Sequence, residues 1–192
     1  NIVTLNTWGG RAGKEKLLDF FRQYRDTVDV FCLQEIWRAS YEELAGVDQS
    51  NVMTHGLQEI TEVLAGEFEI FFHPHHKEDY GLALCVRKGI TIVEAGERFV
   101  HKYKEFVPED NAGKHARNIQ YIKIGESHTP LTVINFHGLW NGEGKGDSED
   151  RILQSQNIVD FLKEQTGDVI LCGDFNLTPD TKSLQMIEGF GL

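Results

Sequence analysis

Asp174 and Asn176 follow the apolar run Val169-Ile170-Leu171-Cys172 with Gly173 between, and Thr178-Pro179-Asp180 comes next. The pattern reads as a buried strand delivering a carboxylate and a carboxamide to one rim. On extended backbone, side chains two residues apart point to the same side. Gly173 allows a close approach to the backbone, and Thr178-Pro179-Asp180 reads as a turn into a new helix. The design recurs three times. Ile2 to Leu5 runs into Asn6-Thr7-Trp8, Val28 to Leu33 into Gln34-Glu35, and Leu131 to Phe136 into His137. Four strands ending in polar groups would gather two acids, two amides and an imidazole at one end of a sheet. That chemistry suits a hard divalent cation and a phosphate ester. Carboxylate oxygens bind Mg²⁺ at about 2.0–2.1 Å, and water and substrate oxygens fill the other octahedral positions.

These residues resemble the endonuclease/exonuclease/phosphatase superfamily, the DNase I-like proteins. The elements that carry the resemblance are Leu5-Asn6-Thr7-Trp8, Leu33-Gln34-Glu35, Asn135-Phe136-His137 and Gly173-Asp174-Phe175-Asn176, in matching order and spacing. The resemblance implies an α/β fold, a four-layer α/β/β/α sandwich of two facing mixed β-sheets flanked by helices. It also implies a phosphoesterase dependent on Mg²⁺ (or Mn²⁺), hydrolysing a phosphodiester or phosphomonoester by activated water. The family pattern closes with a further aspartate and an Asp-His pair, and no Asp-His dipeptide occurs in this sequence. The expectation is therefore a single domain over residues 1–192, truncated at its C-terminus with its last strands missing. A non-catalytic binding domain that retains the fold is the alternative.

Within this scheme Glu35 is the principal metal ligand, and Asn6 beside it is a ligand or an anchor. Asp174 orients or deprotonates the attacking water, and Asn176 holds that water or a phosphate oxygen. His137 donates to a phosphate oxygen or the leaving group. Arg117, at the start of a strand, clamps equatorial oxygens, and Tyr80 borders the substrate. No Gly-x-Ser-x-Gly elbow points to a covalent intermediate. Each residue also has a plainer role: Glu35 as a solvated acid, Asp174 and Asn176 as turn formers, His137 as a core histidine, Arg117 as half of a structural ion pair. Four matched strand ends weigh against that role for the first three. His73-Pro74-His75-His76 would offer imidazoles to a metal, but with no fourth ligand nearby it reads as a solvated loop. Trp8, Trp37 and Trp140 could stack on a substrate ring or pack the rim.

The elements that must position these groups alternate in a mixed α/β manner. Helices are expected over 13–25, 56–66 (stopped by Gly66) and 148–165, with Ser148 ahead of Glu149 and Asp150 in a first turn. Strands are expected at about 68–73, 81–87, 90–96, 117–124 and 130–137. The stretches 100–116 and 141–147 read as specificity loops, the second a mobile, glycine-rich flap that does not match a P-loop. The 192 residues, 40% hydrophobic, suffice for one buried core. A net charge of −11, from 19 basic and 30 acidic residues, argues against a broad nucleic-acid surface. Small or lipid phosphoesters stay open beside nucleic acid. No apolar run approaches a membrane span, and a monomer is expected. Three cysteines in apolar runs, Cys32, Cys85 and Cys172, favour free thiols and a cytoplasmic, reducing compartment. Because the chain starts at Asn1, a removed signal peptide stays open as well.

Overall fold

The computed structural model of the protein describes residues 1–39, 52–106, 114–125 and 128–191. In chain order the elements are β1 (Ile2–Asn6), α1 (Lys14–Tyr24), β2 (Val30–Trp37), α2 (Gly56–Val63), β3 (Phe68–His76), β4 (Tyr80–Arg87), β5 (Ile92–His101), β6 (Arg117–Ile124), β7 (Leu131–His137), α3 (Glu149–Lys163), β8 (Asp168–Asp174) and α4 (Lys182–Glu188), with a 3₁₀ turn at Trp8–Gly10. They form two four-stranded sheets, ordered β1-β2-β4-β3 and β5-β6-β7-β8. Each is mixed: β1 and β2 are parallel, as are β7 and β8, and the remaining neighbours are antiparallel.

Period-two alternation builds the layers. On β2, Phe31 and Leu33 face α1 and α2, where they meet Leu18, Phe21 and Ile60. Val30 and Cys32, between them, face the second sheet with Leu84, Ile122 and Val133. On β7, Ile134 and Phe136 turn outward to Ile158, Phe161 and Ile187 of α3 and α4. Strands covered on both faces are apolar at nearly every position, which is why β2 reads as a continuous hydrophobic run. The result is the α/β/β/α sandwich expected from the sequence. Among the described residues no helix is long and apolar enough to cross a membrane, and all three cysteines are free thiols.

The sheets are joined by amides as well as by apolar packing. Gln34 Nε2 donates to Asn135 Oδ1 at 2.6 Å, and Asn135 Nδ2 donates to Leu33 O at 2.9 Å and Gln120 Oε1 at 3.3 Å. Gln120 in turn donates to Phe71 O at 2.8 Å. These side chains are buried, and each satisfies the next, so the tie fixes how the two sheets meet without leaving an orphaned group.

Three expectations need correction. His73-Pro74-His75-His76 is the end of β3 and not a solvated loop: His75 and His76 are buried. Pro74 is tolerated because β3 is an edge strand and its register shifts between Pro74 and His76. The second helix ends at Val63, and Ala65 and Gly66, both with positive φ, turn the chain out of it. The strand after Gly89 runs on to His101, into the stretch expected to be loop. Residues 107–113 of that stretch lie outside the described residues.

Gly138 and Gly173 let the ends of β7 and β8 approach closely. A Cβ at Gly138 would lie 1.9 Å from Phe175 O, and one at Gly173 1.9 Å from Phe136 O. Both obstacles are backbone atoms. Gly138→Ala is therefore expected to destabilise the fold by about 2–3 kcal/mol, as overpacking against an immovable neighbour does. Urea denaturation with an unchanged m-value checks this.

Candidate active site

The register of the sheets brings the strand ends together. His137 pairs with Asp174 across parallel β7 and β8, and Asn6 pairs with Gln34 across β1 and β2. Asn6 then bridges the sheets: its Nδ2 donates to Glu35 Oε1 and to Asp174 Oδ2, both at 3.0 Å. Its Oδ1 accepts from the Trp8 backbone N–H at 2.9 Å. These hydrogen bonds set the spacing of the two carboxylates.

Glu35 does not simply follow a strand. It occupies an irregularity of β2 between Leu33 and Ile36, with φ of 60°. Thr7 Oγ1 holds the distorted backbone through Gln34 O at 2.9 Å and Glu35 O at 3.1 Å. A bulge of this kind re-aims one side chain, and a non-glycine residue in the left-handed region stores strain that the surroundings must sustain.

Asn176 reaches the same rim by a different geometry from the extended one expected. Its φ is 53°, its N–H donates to Asp174 Oδ1 at 3.0 Å, and its Nδ2 donates to Gly138 O at 3.1 Å. The Oδ1 atom is thereby left as the acceptor the side chain can offer. For Asp174, burial works to raise the pKa, but hydrogen bonds from Asn6 and from the Asn176 N–H outweigh it and hold the carboxyl below its usual range. Burial, reinforced by the Arg117 guanidinium, pushes the His137 pKa down to about 3. His137 is therefore neutral near pH 7, with Nε2 3.9 Å from Glu35 Oε1.

A cavity of about 470 Å³ opens over these groups, and its wall includes Asn6, Glu35, His137, Asp174, Asn176, Arg117 and Tyr80. All seven residues expected from the sequence thus share one pocket. Tyr80 stacks on Trp37 at 4.2 Å between ring centroids, and both are largely buried. Trp8 and Trp140, 58% and 39% exposed, also line the cavity.

The stretch 141–147, expected from the sequence as a glycine-rich flap, is hydrogen-bonded on both sides. Buried Arg151 donates to Leu139 O at 3.2 Å and to Gly144 O at 2.7 Å. Asp147 accepts from the Lys182 and Ser183 N–H groups at 2.8 and 2.9 Å, at the start of α4. Thr178 N–H donates to Lys145 O at 2.9 Å. Between these anchors Lys145 is exposed, and its charge lowers the pKa of both Asp174 and His137.

Sequence reasoning missed Lys145, Arg11 and His115; the last two line the cavity. Only the Gly-Lys-Gly spacing at 144–146 signalled a presented cation. His115 lies in a stretch read as loop, yet it is buried and its ring stacks on His76 at 4.1 Å. Among the described residues no three His, Cys, Asp or Glu side chains converge on a point where they could hold a metal ion.

The chain matches the model of the Endonuclease/Exonuclease/phosphatase family over residues 3–192. No curated protein matches its sequence. Among solved structures, an endonuclease/exonuclease/phosphatase family protein from Leptotrichia buccalis superposes with a TM-score of 0.71 at 20% identity, over 99% of this chain and 72% of that one. A mannosyl-6-phosphatase from Bacteroides thetaiotaomicron gives 0.70 at 16% identity, over 99% and 70%. TDP2 from D. rerio, complexed with a single-strand DNA product, gives 0.63 at 20% identity, over 99% and 64%.

Proposed function

Because the chain belongs to the Endonuclease/Exonuclease/phosphatase family, we propose that it is a divalent-metal-dependent phosphoesterase whose attacking water is held by Asp174 and Asn176. The observation that carries this is the single Asn6 amide spanning Glu35 and Asp174 at 3.0 Å each, in the wall of a cavity that Arg117 and His137 also line.

The donor set fits Mg²⁺ or Mn²⁺. Mg²⁺ takes one or two carboxylates, keeps several waters and accepts substrate phosphate oxygens, so it needs no cage of three protein side chains. Glu35 would hold it, with Asp174 facing the same space. When bound, the cation polarises the phosphoryl group and offsets the charge that develops on it.

The chain's own groups divide the remaining work. Asp174, kept ionised by its hydrogen bonds, accepts a hydrogen bond from the water and orients it. Asn176 Oδ1 accepts a second and fixes the direction of attack. Arg117 binds equatorial phosphate oxygens, giving a charge-assisted contact in a buried setting. Neutral His137 donates a single N–H to a phosphate oxygen, because a pKa of about 3 leaves it no second proton to give near pH 7. Lys145 contributes a further positive charge at the rim.

The pocket favours a terminal phosphate on a ring-bearing group, nucleoside or sugar, over duplex DNA. Trp8 and Trp140 offer apolar faces to such a ring, and a net charge of −11 opposes a long polyanion. The test is product release from p-nitrophenyl phosphate, bis-p-nitrophenyl phosphate, sugar phosphates, single-stranded DNA, RNA and sphingomyelin, with Mg²⁺ and then with EDTA. Turnover that EDTA abolishes and added Mg²⁺ restores is expected. Inactivity of the full-length protein on all of them would leave a binding domain that keeps the fold.

A further inference from the structure

Arg117 begins β6 and is buried but for 2% of its surface, and such a group can clamp a phosphate only if something sets its direction. It lines the cavity and hydrogen-bonds the Tyr80 side chain. A second contact comes from the other sheet, where Arg117 Nη1 lies 3.0 Å from His75 Nε2. His75 Nδ1 lies 3.3 Å from Asn118 Oδ1, and Asn118 Nδ2 donates to Glu97 Oε2 at 2.6 Å. His75 and Asn118 are both completely buried.

Chemistry fixes every proton in this chain. A guanidinium can only donate and a carboxylate can only accept. Glu97 therefore requires the Asn118 amide nitrogen on its side, which turns Oδ1 toward His75. Arg117 requires His75 Nε2 to accept, so the ring must be neutral and carry its proton on Nδ1. That proton is the one Asn118 Oδ1 needs. Both ends of the relay demand the same tautomer, and no member is left with two donors or two acceptors face to face.

We propose that His75 is a positioning residue for phosphoester hydrolysis, a neutral, Nδ1-protonated imidazole that aims Arg117 into the pocket and links it through Asn118 to Glu97. The inference rests on the reading of Arg117 as the phosphate clamp. It also explains why β3 continues past Pro74: the relay needs His75 on a strand that packs against β6, and a solvated loop could not hold an imidazole at 3.0 Å from a guanidinium.

The test combines spectroscopy with kinetics on the full-length protein. In long-range ¹H–¹⁵N spectra of ¹⁵N-histidine-labelled protein, His75 shows a protonated Nδ1 and an unprotonated Nε2. His75→Leu lowers kcat/KM by about 10²-fold, the scale at which misplacing a positioning group acts, and weakens competition by inorganic phosphate. His75→Gln, whose amide offers one acceptor and one donor, stays within about threefold of the parent. Adding Arg117→Ala to His75→Leu has almost no further effect, since the two residues act as one unit. Equal melting temperatures for His75→Leu and His75→Gln separate positioning from folding.

Three results overturn the proposal: an Nε2-protonated His75, additive losses in the double variant, or a Gln variant as impaired as the Leu variant. Absence of turnover in the parent protein on every substrate overturns the phosphoesterase reading and the positioning role with it. In that event the tautomer spectrum still decides whether the relay itself exists.

Discussion

Glu35→Gln is expected to lower Mg²⁺-dependent hydrolysis by about 10³-fold or more while leaving the fold at least as stable as before. The loss follows from the role assigned to the carboxylate. Electrostatic groups aimed at developing charge contribute several kcal/mol each in a site screened from water, and about 4 kcal/mol corresponds to roughly 10³ in rate. The stability side follows from geometry. Glu35 and Asp174 both accept from one amide, Asn6 Nδ2, at 3.0 Å, so two like charges are held close together, and the Arg117 guanidinium, which attracts both, is still faced by Asp174 when one of them is neutralised. Replacing one by a neutral amide of the same shape removes that repulsion. Function and stability then move in opposite directions, as at other sites where a strained arrangement serves chemistry. The variant should also lose the response of its melting temperature to added Mg²⁺, because a ligand stabilises only the state that binds it. Unchanged turnover in Glu35→Gln would remove the metal assignment. A large fall in melting temperature would show that the carboxylate serves the fold instead.

Why the sequence allowed so much of this pocket to be located is instructive. A strand covered on both faces is apolar at nearly every position, so the residues at which the run stops mark where the chain nears solvent or a site. That logic located Asn6, Glu35, His137 and Asp174 at four strand ends, and the structure brings them to one cavity. A helix signal worked for the same kind of reason: Ser148 caps α3 through its side-chain oxygen, a local interaction written within four residues. What stayed hidden depends on partners far away in sequence. Arg151 is buried on a helix face because carbonyls of the 139–146 loop surround its guanidinium. Gln34, Asn135 and Gln120 are buried because they satisfy one another across two sheets. His75 reads as loop until Arg117 and Asn118 are seen beside it. Periodicity registers where apolar groups recur; it carries no information about which buried polar group will find a distant partner. The backbone at Glu35 and Asn176 is the other gap. Both have positive φ, a choice that non-glycine residues make under tertiary constraint and that single-sequence patterns do not encode.

The histidines give the second large effect: stability should fall steeply as pH drops from about 6.5 to 4.5. His73, His75, His76, His101, His115 and His137 all have pKa values pushed below the ordinary imidazole range, with burial the leading cause in each. For His115 and His137 the value reaches about 3. In the unfolded chain each imidazole titrates near 6.5. Between those limits the unfolded state binds protons that the folded state refuses, so stability is full above about 6.5 and declines as pH falls. Each such group contributes a slope of about 1.4 kcal/mol per pH unit once its unfolded form is protonated. His115 and His137 alone therefore remove about 2.7 kcal/mol per pH unit in that window, against a total of roughly 5–15 kcal/mol for an ordinary domain. Carboxylates with lowered pKa values, Asp174 among them, add to the loss only below about pH 5, where their unfolded forms begin to protonate, so the part of the window above that isolates the imidazoles. Urea denaturation at half-unit steps between pH 7.5 and 4.5 measures the slope directly. His115→Phe keeps a flat ring against His76, removes one titrating group and should flatten the slope by close to one proton. A pH-independent midpoint down to 4.5 would mean that these imidazoles are hydrated or paired in solution, and that the buried cluster around Arg117 is not held as described.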